Sequence, residues 1–157
     1  MKSGFRFYLH IFISVLIMAF IFFQSSLTAD LSGAESGFIV NLIVRLLGNV
    51  PGNISFVIRK LAHFSEYLLL GVSLSLSARD ILSITVYRER GSLSLMHNQT
   101  IKISLLIGSL YAVSDELHQM FVPGRSCEIR DMIIDSCGVF DGPLIWRLIM
   151  IKNSNGR

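Results

Sequence analysis

Apolar positions along this 157-residue chain gather into four long runs separated by polar connectors. The first, residues 7–23 (FYLHIFISVLIMAFIFF), carries no Asp, Glu, Lys or Arg. Its length sits at the short end of the roughly 17–25 residues that cross a bilayer as a helix. The second, residues 61–78 (LAHFSEYLLLGVSLSLSA), is interrupted near its start by His63 and Glu66. The third covers residues 101–122 and turns polar near its end, and the fourth, residues 132–151, carries Asp135, Asp141 and Arg147. The last two fail a strict hydropathy test. Ionisable groups inside a helical bundle usually face its interior, however, so in a multi-helix protein they argue for a site as much as against a span. Between the first two runs, QSSLTADLSGAES (residues 24–36) reads as a polar loop. GFIVNLIVRLLG (residues 37–48) follows, too short to span and with Asn41 and Arg45 on one face, which suits a helix lying in the interface. NVPGN (residues 49–53) turns the chain, and the connector 79–102 shows no clear pattern. The pattern predicts an all-α membrane protein with about four transmembrane helices and an amphipathic interfacial helix between the first and second, in a single domain over residues 1–157.

Composition agrees with that picture. Hydrophobic residues make up 52% and charged residues 16%, against about a quarter charged in soluble domains. A soluble domain with buried helices is the competing class, and runs this long and apolar count against it. A cleaved secretory signal is the competing reading of the first run, since Lys2 and Arg6 precede it. The run is long for such a signal, and Leu27-Thr28-Ala29 is a poor cleavage site. The net charge of +3 is scattered, without the basic block or aromatic-basic interleaving that nucleic-acid binding would need. Cys127 and Cys137 form neither a disulfide framework nor a CxxC pair and read as free thiols.

Lys and Arg favour cytoplasmic loops, which orients the chain. With the N-terminus inside, Lys2, Arg6, Arg79, Arg88, Arg90, Lys102, Lys152 and Arg157 lie on the cytoplasmic side; Arg45, Arg59, Lys60, Arg125 and Arg130 lie outside, eight against five. Both termini are then cytoplasmic, in a multi-pass protein of the cytoplasmic membrane. This orientation collects the polar interruptions near the outer face: His63 and Glu66, Asp115 to Gln119, Arg125, Asp131 and Asp135 all fall within about three helical turns of it. At 100° per residue Lys60, His63, Tyr67 and Gly71 form one stripe, and Asp131, Asp135, Gly138 and Gly142 another. The glycines would let helices approach closely. His10 reads as an interfacial or packing residue and His97 as a solvated one.

Three blocks carry a resemblance. Lys60-x-x-His63-x-x-Glu66-Tyr67 with Gly71 comes first, then Tyr111-Ala112-x-x-Asp115-Glu116-x-His118-Gln119-x-Phe121-Val122-Pro123-Gly124-Arg125, then Asp131 with Gly138 and Gly142. Together they resemble the VanZ-like family, most strongly over residues 59–142, with weaker likeness in the first helix and its trailing Gln24-Ser25-Ser26. The resemblance implies a small bacterial integral membrane protein of about four helices. The family is named for a member associated with resistance to the glycopeptide teicoplanin, and its molecular activity is not established. The family commonly has Asn where this chain has Asp135, and a small or apolar residue where it has Asp141; Pro143 would kink the fourth helix and make room for water.

The chemistry stays open between several readings. His63, Glu66, Asp115, Glu116, His118, Asp131 and Asp135 are donors of the types that hold a divalent metal, which would suit an intramembrane hydrolase or transferase acting on a lipid-linked phosphate. No spacing matches a motif such as HExxH. Arg125 behind the Pro123-Gly124 turn, with Lys60 and Arg130, suits an anionic head group, so an envelope lipid or lipid-linked precursor is the candidate partner besides the bilayer. Binding without turnover is the plainer form of the same idea. A small transporter or proton relay through His63, Asp135 and Asp141 is a third reading. Against all of these stands structural glue, in which the same residues are ion pairs locking the bundle. As a candidate catalytic centre the sequence nominates Asp115, Glu116, His118, Gln119, His63 and Glu66, with Lys60, Tyr67, Arg125, Asp131 and Asp135 as binding residues.

Overall fold

A computed structural model describes residues 2–48, 52–85 and 93–155. Among these residues the chain forms five helices: α1 (Lys2–Ser25), α2 (Ala29–Leu47), α3 (Ile54–Thr85), α4 (Leu93–Gln119) and α5 (Ile129–Asn155). Two of them, over Gly4–Ser25 and Ile54–Ser83, are long and apolar enough to cross a membrane, with mean hydropathies of 2.1 and 1.2. At 1.5 Å per residue the 32 residues of α3 extend about 48 Å, more than the roughly 30 Å of a hydrocarbon core. The third expected span largely overlaps α4, and the fourth falls inside α5. α4 ends at Gln119, three residues before the expected limit, and Val122 lies in the turn beyond it.

α2 begins earlier than the sequence pattern suggests. Most of the expected loop 24–36 is helix from Ala29 onward. The cause is local: the Thr28 side chain accepts the Leu31 N–H, and Asp30 sits in the first turn, where a negative charge meets the unpaired N–H groups. Gly48 ends the helix with φ 81°, a conformation that favours glycine, and donates its N–H to Val44. Most of the connector 79–102 is also helical, because α3 runs on to Thr85 and α4 starts at Leu93. Arg88 and Arg90 lie outside the described residues, as does the side chain of His97.

α3 is the central helix and packs against each of the others, most extensively against α5. Glycines make that approach. A Cβ on Gly142 would collide with the Leu68 carbonyl and lie 2.8 Å from the Val72 nitrogen, and one on Gly138 would lie 2.7 Å from the Phe64 carbonyl. α5 continues as helix through Pro143. The apolar core, formed by Ile21, Leu70, Leu74, Ala112 and Val139 with the ring of Tyr67, lies midway along the bundle. Phe5, Tyr8, Phe12, Val15, Phe20 and Phe23 turn outward from α1, as a lipid-facing surface does.

Polar contacts occupy both ends of the bundle. At one end His10 Nδ1 lies 2.8 Å from Asp80 Oδ2, and Ser14 Oγ lies 2.7 Å from Ser73 Oγ. His10 is therefore paired with a carboxylate from the connector that carried no pattern, a contact the sequence does not reveal. At the other end the C-termini of α1 and α4 meet the N-termini of α3 and α5, and the residues singled out above converge there.

Candidate functional site

The centre of this polar end is the last turn of α4. Asp115, Glu116 and Gln119 share its inward face because they are one, three and four residues apart, and all three are buried. Glu116 uses both carboxylate oxygens. Oε2 accepts the backbone N–H of Glu128 at 2.9 Å, and Oε1 accepts Gln119 Nε2 at 3.0 Å. Gln119 Nε2 also reaches Asp115 Oδ2 at 3.3 Å, while Gln119 Oε1 accepts Arg125 Nη1 at 3.1 Å. The second nitrogen of Arg125 donates to the Gln24 carbonyl at 3.2 Å, and Ser25 Oγ donates to Asp115 Oδ2 at 2.8 Å. One hydrogen-bonded network thus ties the α4 terminus to the end of α1 and to the segment leading into α5.

The segment 120–128 is shaped to present Arg125. Val122 N donates to the Gln119 carbonyl and Arg125 N to the Val122 carbonyl, and between them Gly124 adopts φ 76°. A Cβ at Gly124 would also press to 2.9 Å from Ala29. The Ala29 N–H donates to the Pro123 carbonyl, so this turn anchors the start of α2 as well. Burial lowers the Arg125 pKa; Asp115 pulls the other way, and the nearby Arg59 guanidinium adds to the lowering. Glu128 is held below the usual glutamate range, first by the hydrogen bond from Arg130 and then by the Lys60 charge.

α3 supplies the facing wall. Lys60 pairs with Asp131 of α5, as the sequence suggests for structural ion pairs. His63 Nδ1 and Glu66 Oε2 lie 3.9 Å apart, too far for a hydrogen bond, and neither atom has another partner. Arg59, which the sequence reading counted only as a loop charge, takes the more telling position. It forms no hydrogen bond or ion pair among the described residues, and its charge bears on both Arg125 and His63. Its spacing to His63 and Glu66, four and seven residues, was a visible signal for a shared helical face.

Two cavities open here, of about 210 and 110 Å³. Ser32, Arg59, His63 and Arg125 line both, so they form parts of one trough between α2, α3 and the 120–128 segment. Gln119, Lys60 and Asp131 border the larger part, and Glu66 with Glu35 borders the smaller.

The remaining nominated residues lie elsewhere. His118 turns toward α1, where its ring stacks on Phe22 at 4.4 Å and Nε2 lies 3.1 Å from Ser26 Oγ. It borders neither cavity, because a residue two positions from Glu116 points some 200° around the helix from it. Tyr67, Asp115 and Asp135 influence one another electrostatically below the trough. Both Asp135 oxygens are buried without a hydrogen-bond partner, and the buried Tyr67 hydroxyl faces Asp115. Among the described residues no three His, Cys, Asp or Glu side chains are arranged to hold a metal ion. Cys127 and Cys137 are free thiols. Gln24, Ser25 and Glu128, none of them nominated, complete the network, and the Ser26 hydroxyl contacts His118 and the Phe22 carbonyl outside it.

A family model described as VanZ/LLP1 matches residues 9–150. No curated protein and no solved structure matches the chain.

Proposed function

The chain belongs to the VanZ/LLP1 family of bacterial membrane proteins, and from that premise we propose that its trough holds the anionic head group of an envelope lipid or lipid-linked precursor. One observation carries this reading: Arg59 and Arg125 line the same trough, and Arg59 makes no hydrogen bond or ion pair among the described residues. Two guanidiniums facing one another repel, and an anion between them converts that repulsion into charge-assisted hydrogen bonds. Four of the helices would span the membrane with α2 at the interface. The Lys and Arg distribution supports an outer-face trough with both termini in the cytoplasm. Protection against glycopeptides, through a bound envelope precursor, is the cellular role this arrangement would serve.

Turnover of a lipid-linked phosphate is the second reading, and His63 favours it, because it lines both parts of the trough with a buried, unbonded Nδ1. It would act by carrying a proton. The relay reading has less support: Asp135 makes no hydrogen bond, so no bonded chain leads from His63 past it to Asp141.

The test is titration of the purified full chain, in detergent, with dihexanoyl phosphatidylglycerol. Arg59→Gln is expected to weaken binding by about 10–150-fold, the equivalent of about 1.5–3 kcal/mol for a charge-assisted contact. Unchanged affinity in both Arg59→Gln and Arg125→Gln overturns the anion site. Release of inorganic phosphate from a lipid phosphomonoester, lost in His63→Gln, would establish turnover.

A further inference from the structure

The unpaired charges around the trough are of both signs. Arg59 and Arg125 bring two guanidiniums to the smaller part, and Glu35 and Glu66 two carboxyl groups. In the larger part the carboxylates are already engaged, Asp131 by Lys60 and Glu128 by Arg130. Glu66 is different. Its Oε2 is buried with no hydrogen-bond partner, and its electrostatic neighbours are the carboxylates of Asp115 and Glu35 with the Arg125 guanidinium acting against them. Arg59 and Glu66 are two helical turns apart on one face of α3, about 10 Å along the axis, so they do not neutralise each other directly.

A simple anion would satisfy only half of this wall. Seated between Arg59 and Arg125, it would place further negative charge beside Glu66 and Glu35. A ligand carrying an ammonium a few ångströms from its anion meets both halves: the anion faces the guanidiniums, and the ammonium enters the smaller part against the carboxylates.

Resting on the head-group reading above, we propose that the trough selects a zwitterionic aminophosphate head group, its phosphate between Arg59 and Arg125 and its ammonium against Glu66 and Glu35. The same chemistry is carried by an aminophospholipid and by a free aminophosphate. The apolar flank favours the lipid, since Phe56 and Ile39 border the trough and are exposed beside it.

The experiment titrates the purified full chain in detergent with dihexanoyl phosphatidylethanolamine, dihexanoyl phosphatidylglycerol and free O-phosphoethanolamine. The ethanolamine lipid is expected to bind about tenfold more tightly than the glycerol lipid, the size of one added charge-assisted contact. Glu66→Gln is expected to bring the two within about twofold, by weakening the ethanolamine lipid alone. Glu35→Gln serves as the second variant, on a different helix, should Glu66→Gln fail to accumulate. Equal or tighter binding of the glycerol lipid to wild type, or a preference that survives both variants, overturns the zwitterion while leaving the anion site standing. If neither lipid nor the free head group binds, both readings fall. O-phosphoethanolamine binding as tightly as its lipid would keep the zwitterion and reject the lipid as its source.

Discussion

Replacing Glu116 by Gln tests the site at its most connected atom pair. The carboxylate accepts from two donors approaching different oxygens, Glu128 N–H at 2.9 Å and Gln119 Nε2 at 3.0 Å. An amide of the same shape has one acceptor and one NH₂ group. If the new carbonyl faces Glu128, the NH₂ confronts Gln119, whose own amide must flip. The flip turns its nitrogen onto Arg125 Nη1 and its oxygen toward the Asp115 carboxylate. If instead the new carbonyl faces Gln119, the Glu128 N–H is left pointing at an NH₂. Either way a buried donor loses its acceptor, a cost of about 1–3 kcal/mol. At about 1.4 kcal/mol per factor of ten, protection of the Glu128 amide or of the Arg125 side of the network should fall about 5–150-fold. Hydrogen–deuterium exchange on peptides covering residues 119–130 reads this directly, with thermal unfolding of the same detergent preparation as a check. Wild-type exchange across this segment, together with an unchanged unfolding midpoint, would refute the reasoning, because the network would then not be holding the segment.

Three further outcomes are expected. Gly142→Ala should destabilise the α3–α5 contact by about 1–3 kcal/mol, since its Cβ meets helix backbone rather than a movable side chain; the thermal midpoint measures it, with Gly37→Ala, where the space is open, as the control. Lys60→Met and Asp131→Asn together should destabilise the protein by less than the sum of the two single effects, because each single variant leaves a partly buried partner charge alone; a double-mutant cycle measures the coupling. The Glu128–Arg130 pair is exposed, so screening limits it to well under about 1 kcal/mol. Because the folded-state pKa of Glu128 is depressed, that small contribution is present above the usual glutamate range and disappears as pH falls below it. Comparing unfolding midpoints of wild type and Glu128→Gln at neutral and acid pH should show the difference closing at low pH.

Much of this protein could be read from the order of its residues. The apolar runs located α1, α3, α4 and α5 because a helix in a greasy setting needs an uninterrupted apolar surface, a property of contiguous sequence. The inward face of α4 followed from the spacing of Asp115, Glu116 and Gln119, and the closeness of α3 and α5 from Gly138 and Gly142, since helical angle and side-chain size are local properties. The Lys60–Asp131 pair was legible once both residues were placed at one end of the bundle. The family resemblance rested on the same blocks.

What tertiary structure decided was which partners are taken. Lys60 and Arg59 are adjacent basic residues, and only packing shows that Asp131 neutralises the first while the second is left facing Arg125. His118 stood in the densest polar cluster, yet only packing shows that its side of α4 meets Phe22 and Ser26 of the first helix rather than the trough. His10 met Asp80 across 70 positions. The start of α2, capped locally by Thr28, is also held by the Pro123 carbonyl from the far side of the chain. Burial, pairing and the leftover charge of a site are sums over neighbours brought from distant positions, so periodicity can nominate the residues of such a site but the bundle assigns their roles.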